Sequence, residues 1–299
     1  MPADNEVQNQ KEIKEEGERV FLSQPWKVFA FEAFLFSLTL ALGIIASLKL
    51  NRILEVQEIS LPAISFWQFL VYFLLTTSFI LLISFFGKFK KGKGILFKGI
   101  FILVVFWGGA FLLSLWIPAI FALFLMGILI FWWLKKPTIL VHNLCIIFGI
   151  AGIGSILGLR LEPLIVVALL IILSIYDFIA VNITKHMVKM AKEMIEMGAI
   201  LALVVPPKIS DFRENLKTVK PGGKFLILGG GDIAFPLLLC ASLVPEGILN
   251  SLTVALFALI GLFFSFWIFA SQKIRKPIPA LPPIALFSII GFLITKIIY

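Results

Sequence analysis

Apolar residues in this chain come in long, nearly unbroken runs rather than at the spacing of a half-buried helix face. A helix needs about 20 apolar residues to cross the hydrocarbon core of a bilayer. On that measure the sequence predicts nine spans, at roughly 26–48, 64–86, 95–115, 117–134, 139–157, 163–183, 225–243, 248–270 and 279–298. The fold class expected is an all-α integral membrane protein. Between the third and fourth runs hydrophobicity is almost continuous, and only "SLWIPA" around Pro118 suggests a turn. Without that turn, every later span would point the other way.

The polar stretches divide the chain into four parts: a tail at 1–25, spans one to six at 26–183, a loop at 184–224, and spans seven to nine at 225–299. The loop opens with "KHMVKMAKEMIEM", whose methionines and isoleucine form one apolar stripe on a helix. "AILALVVPP" is β-branched and too short to span, and "SDFRENLKTVKPGG" reads as solvated and flexible. Connections this long are often functional, though a surface tether remains the alternative. "AILALVV" and "KFLIL" are the candidate strands.

Composition agrees with lipid as the solvent. The chain is 60% hydrophobic and 14% charged, against about 25% charged in a soluble domain, and its mean hydropathy is +1.06. The net charge of +9 does not point to nucleic acid. Its lysines and arginines lie in short clusters between apolar runs, where they report topology. With the N-terminus cytoplasmic, the inner segments carry 21 of them. The outer segments carry four: Lys49, Arg52, Arg160 and Lys296. This alternation predicts a cytoplasmic N-terminus, an outside C-terminus and a multi-pass protein of the cell membrane. Cys145 and Cys240 lie in apolar runs without CxxC spacing, so neither a disulfide framework nor a metal site is expected.

Two runs carry an acid where lipid makes it costly, by roughly 2.5–3.5 kcal/mol on insertion scales. They are "LIVVALLIILSIYDFIAV", with Asp177, and "ILGGGDIAFPLLL", with Asp232. Glu32, Lys98, His142 and Glu162 are closer to span ends, and Glu32 and Lys98 are expected to snorkel to the interface. Asp177 is eight residues from Lys185 and Asp232 eight from Lys224. If both segments are helical, each acid sits about 12 Å from the same edge. Adjacent carboxyls share a proton. One can then activate water while the other protonates a carbonyl, which is aspartic protease chemistry. A proton-coupled transporter or cation channel using the same acids as a relay is the alternative. Gly229, Gly230 and Gly231 favour the first, because three successive glycines soften a backbone more than helix packing requires.

With these residues in place, the chain resembles the presenilin and signal peptide peptidase family of intramembrane aspartyl proteases. Tyr176-Asp177 looks like its YD motif, Gly229-Gly230-Gly231-Asp232 its GxGD motif, and Pro279-Ala280-Leu281 its PAL motif, in the right order and spans. The orientation and the "PALP" continuation resemble the presenilin branch, in particular its prokaryotic homologues. The resemblance implies that Asp177 and Asp232 are catalytic, without metal or cofactor. It places Tyr176, Gly229, Gly230, Gly231, Pro279, Ala280 and Leu281 around the substrate, Tyr176 either hydrogen-bonding near the aspartates or packing. It also gives the loop flanks a role in substrate gating and strand pairing. Implied partners are transmembrane-helix protein substrates and membrane lipid. Homo-oligomerisation stays open and accessory subunits are not evident. Rival protease classes are poorly served: there is no HExxH, and "GIGSILG" around Ser155 lacks the glycine that a rhomboid-type serine motif would place next.

Overall fold

A computed structural model of the chain describes residues 25–60, 62–86, 90–198, 200–220, 223–272 and 276–298. Nearly all of the predicted N-terminal tail, and parts of the "KFKKGK" and "KIRK" clusters, lie outside these residues. The helices are α1 (Pro25–Val56), α2 (Phe66–Phe86), α3 (Lys90–Ser114), α4 (Ala119–Lys135), α5 (Ile139–Arg160), α6 (Pro163–Phe178), α7 (His186–Glu196), α8 (Gly230–Ser242), α9 (Ile248–Ala270) and α10 (Leu281–Ile298). The chain turns between α3 and α4 at Leu115–Pro118, within the "SLWIPA" segment. Among the described residues, six helical stretches are long and apolar enough to cross a membrane: Pro25–Val56, Gly94–Ser114, Ile139–Arg160, Pro163–Ile183, Ile248–Ala270 and Leu281–Ile298.

Two strands interrupt the helical pattern. β1 (Ala202–Val205) pairs antiparallel with β2 (Leu226–Gly229), Leu203 opposite Leu228 and Val205 opposite Leu226. The seventh predicted span therefore needs correction, because its first turn is extended and only Gly230–Ser242 is helical. The physical reason is local. Helix propagation towards the N-terminus must pass Gly231, Gly230 and Gly229, each costing about 1 kcal/mol relative to alanine, while β1 offers the apolar "LILG" a ladder.

The loop is not the free tether its polar residues suggest. Ile139 N–H donates to Glu214 O at 3.0 Å and Leu216 N–H to Pro137 O at 2.7 Å. Asp211, Leu216 and Val219 are buried, and Lys224 forms ion pairs with Asp211 and Glu214. These bonds dock the segment on the α4–α5 turn.

The core forms around α8. This short helix touches α1, α5, α6, α9 and α10, and Ile233 and Pro236 through Ser242 are all buried. A helix apolar on every side belongs inside a bundle. Small residues permit the close approach of its neighbours. At the crossing of α3 and α5, a Cβ on Gly152 would collide with the carbonyl oxygen of Gly108. Outward, Trp67, Tyr72, Phe121, Phe124, Leu164 and Ile175 are exposed, the apolar surface a bilayer would cover.

Candidate active site

Asp177 lies in the last turn of α6, on the buried stripe formed with Val166, Leu169, Leu170 and Leu173. Its side chain is 5% exposed. Immediately after it the helix widens into a π-helical segment, Ile179–Ile183, an irregularity common at functional sites. The chain then reverses at Lys185, whose φ of 53° is in the left-handed region. The partner of Asp177 comes from α10: Leu281 N–H donates to its Oδ2 at 3.3 Å.

That bond follows from the sequence "PALPP". The first four amides of a helix lack internal acceptors. Pro282 and Pro283 have no N–H, so the exposed donors at the head of α10 are fewer. Leu281, 4% exposed, still carries one, and Asp177 accepts from it. Pro279 and Ala280 precede it in non-helical, half-buried chain.

Asp232 is the third residue of α8 and half-buried. Its carboxyl lies close against Gly229, the residue that caps the helix. An acid in the first turn is placed where the helix dipole favours negative charge. A Cβ on Gly229 would lie 2.8 Å from Asp232 Oδ2, so the first glycine leaves room for the carboxylate. A Cβ on Gly230 would lie 2.9 Å from Leu201 O, which already accepts from Gly230 N–H at 3.0 Å. Gly231 has only the Phe235 ring near, at 3.3 Å. Pro236 removes the amide that would have bonded the Asp232 carbonyl four residues earlier. The helix is thus soft at the turn that presents Asp232.

α6 packs on α8, and the two carboxyls are close enough for Asp177 to act electrostatically on Asp232. The equal-depth arithmetic does not survive, because Leu226–Gly229 rises at an extended ~3.3 Å per residue. The two acids nevertheless lie on helices that pack against each other and against α10. Tyr176, by contrast, is 51% exposed. Among those residues no cluster of three or more His, Cys, Asp or Glu could hold a metal ion.

Two contributors are missing from the sequence reading. Asn143 on α5 brackets β1, its Nδ2 donating to Val204 O at 2.7 Å and its Oδ1 accepting from Val204 N–H at 2.9 Å. His142 Nε2 meets Ala202 O at 3.1 Å. One edge of the sheet is therefore occupied by side chains. The second contributor is Glu32. It does not snorkel; it is 5% exposed on the inward stripe of α1 with Val28, Leu35 and Phe36. That stripe, recurring every three to four residues, was a readable signal that the acid faces inward.

A family model described as signal-peptide peptidase, presenilin aspartyl protease matches residues 31–299. Comparison with curated proteins finds no match. Among solved structures, a presenilin family intramembrane aspartate protease in a C222 crystal form shares the fold with a TM-score of 0.59. It is 20% identical, over 88% of this chain and 94% of that one. A P2 crystal form of such a protease gives 0.52 at 22% identity, over 88% and 97%. Since the family model spans nearly the whole sequence, this chain belongs to the signal-peptide peptidase and presenilin family of aspartyl proteases and is a multi-pass intramembrane endopeptidase.

Proposed function

We propose that Asp177 and Asp232 are the catalytic dyad and that the substrates are transmembrane helices cut near the cytoplasmic side. The observation that carries this reading is the mutual packing of α6, α8 and α10, which brings Asp177 onto Leu281 N–H while Asp232 lies against Gly229. With one proton between them, the ionised carboxyl takes a proton from water as its oxygen adds to the scissile carbonyl carbon. The protonated carboxyl gives its proton to the carbonyl oxygen. In the tetrahedral gem-diol the roles exchange: a proton passes to the nitrogen, the C–N bond breaks, and a carboxylic acid and an amine leave.

A substrate helix has its amides bonded internally and must unwind before attack. β2 supplies a receiving edge. In the β1–β2 register, Leu226 and Leu228 bond to β1, so Ile227 and Gly229 point their backbone groups away from it. The far edge of β1 is taken by Asn143 and His142. An unwound substrate strand added beside Ile227 would run past Asp232, with main-chain bonds supplying affinity. The nine-span arrangement with a cytoplasmic N-terminus puts this edge and the 184–224 loop on the inner side.

The deciding experiment is cleavage of a reporter transmembrane peptide by detergent-purified protein, beside Asp177→Asn and Asp232→Asn. Each substitution should abolish cleavage while leaving thermal unfolding near that of the parent. Activity surviving in either would remove that residue from the chemistry.

A further inference from the structure

Beside the dyad is a third buried acid. Glu32 sits seven residues into α1 from Pro25, about 10 Å along the axis, on the buried stripe of a helix that packs against α5, α8 and α9. Its Oε2 is buried without a hydrogen-bond partner among the described residues. Its electrostatic partner is Asp232, on which Asp177 also acts from the other helix.

Among the described residues, no buried cation is recorded beside it. On α1 itself, Lys27 is exposed. From α5, His142 is bonded to Ala202 O and stacked on Phe101, Cys145 is buried, and Arg160 binds Pro62 O near the far end of that helix. α8 brings Asp232 and the buried Cys240, and neither α9 nor β1 carries an ionisable residue. The 3-10 turn Val244–Glu246 brings Glu246, paired with Lys296. Ile209–Arg213, which meets α1 where Phe212 contacts Phe31, brings Asp211, paired with Lys224, and Arg213.

A buried carboxyl with an idle oxygen costs free energy and is normally eliminated or satisfied. Leucine would fill the position without that cost. An acid retained there against a catalytic acid points to use. We propose that Glu32 is a positioning residue of the active site, a third carboxyl that acts through Asp232 and fixes how the protons are shared across the dyad. Three carboxyls withdrawn from bulk water cannot all be ionised. The protons they share then form one coupled set, and the charge on Asp232 depends on both of its neighbours.

This inference rests on the dyad assigned above, and the test separates the two. Glu32→Gln keeps shape and hydrogen-bonding capacity but cannot ionise. It should lower kcat about tenfold with KM little changed, and move the acid limb of the kcat/KM profile to lower pH by about one unit. Glu32→Asp keeps the ionisable group and should return the limb towards its original position; it decides the question if the glutamine variant does not fold. A profile and kcat like those of the parent in Glu32→Gln would overturn the proposal, as would a glutamine-like profile in Glu32→Asp. If Asp177→Asn and Asp232→Asn are inactive while Glu32→Gln behaves as the parent, the dyad stands and only the role of Glu32 falls.

Discussion

Asp232 reaches back over the start of its own helix to Gly229, and its Oδ2 lies 2.8 Å from where a Cβ on that glycine would be. The two residues are fitted to one another: the glycine supplies the space. The neighbouring glycine is fitted to something different, the Leu201 carbonyl.

That difference predicts two phenotypes. Gly229→Ala should push aside a side-chain end, lowering kcat by about a hundredfold with little change in thermal stability. Gly230→Ala presses on backbone that cannot yield cheaply, and should cost about 1–3 kcal/mol of stability. Thermal unfolding and single-turnover cleavage of the pair would check this. Equal stability losses would contradict it.

Leu281 can be tested by separating its amide from its side chain. Leu281→Ala keeps the bond to Asp177 and empties a buried site, so stability should fall by about 2–5 kcal/mol with activity per folded molecule largely kept. Leu281→Pro also removes the N–H, in a first turn that tolerates proline. It should lose at least about tenfold more activity than the alanine variant.

Asn143→Leu strands two buried main-chain groups of Val204. At about 1–3 kcal/mol for each unsatisfied group, the β1–β2 unit should be destabilised by roughly 2–6 kcal/mol. Faster amide exchange at Leu203 and Leu228 than in the parent is the expected readout.

Much of the site was legible because burying an acid in an apolar run is costly enough to demand a reason; Asp177 and Asp232 announce themselves on that ground. β2 was not legible as such. "LILG" is as apolar as the helix that follows, and a four-residue strand within a hydrophobic run has no period of its own. Loop docking was hidden for the opposite reason. "SDFRENLKTVK" looks solvated, yet its anchors are backbone groups of Glu214 and Leu216 that sequence does not distinguish from any others. Glu32 shows how position along a helix misleads when facing is ignored: near the end of a span, it still turns inward.

The proposed orientation rests on charge alone and has its own test. Single cysteines at Arg52 and Lys136, with Cys145 and Cys240 both buried, should be labelled by an impermeant thiol reagent from opposite sides of intact cells. Arg52→Cys should react from outside, and Lys136→Cys only after permeabilisation. The reverse pattern would invert the topology.

The amide that restrains Asp177 is contributed by α10, which follows both aspartates in the chain. A nascent polypeptide halted after α9 would already contain both aspartates but not the clasp that orients one of them. Cutting power would then arrive only once α10 is in place, which delays self-inflicted damage until that helix has packed.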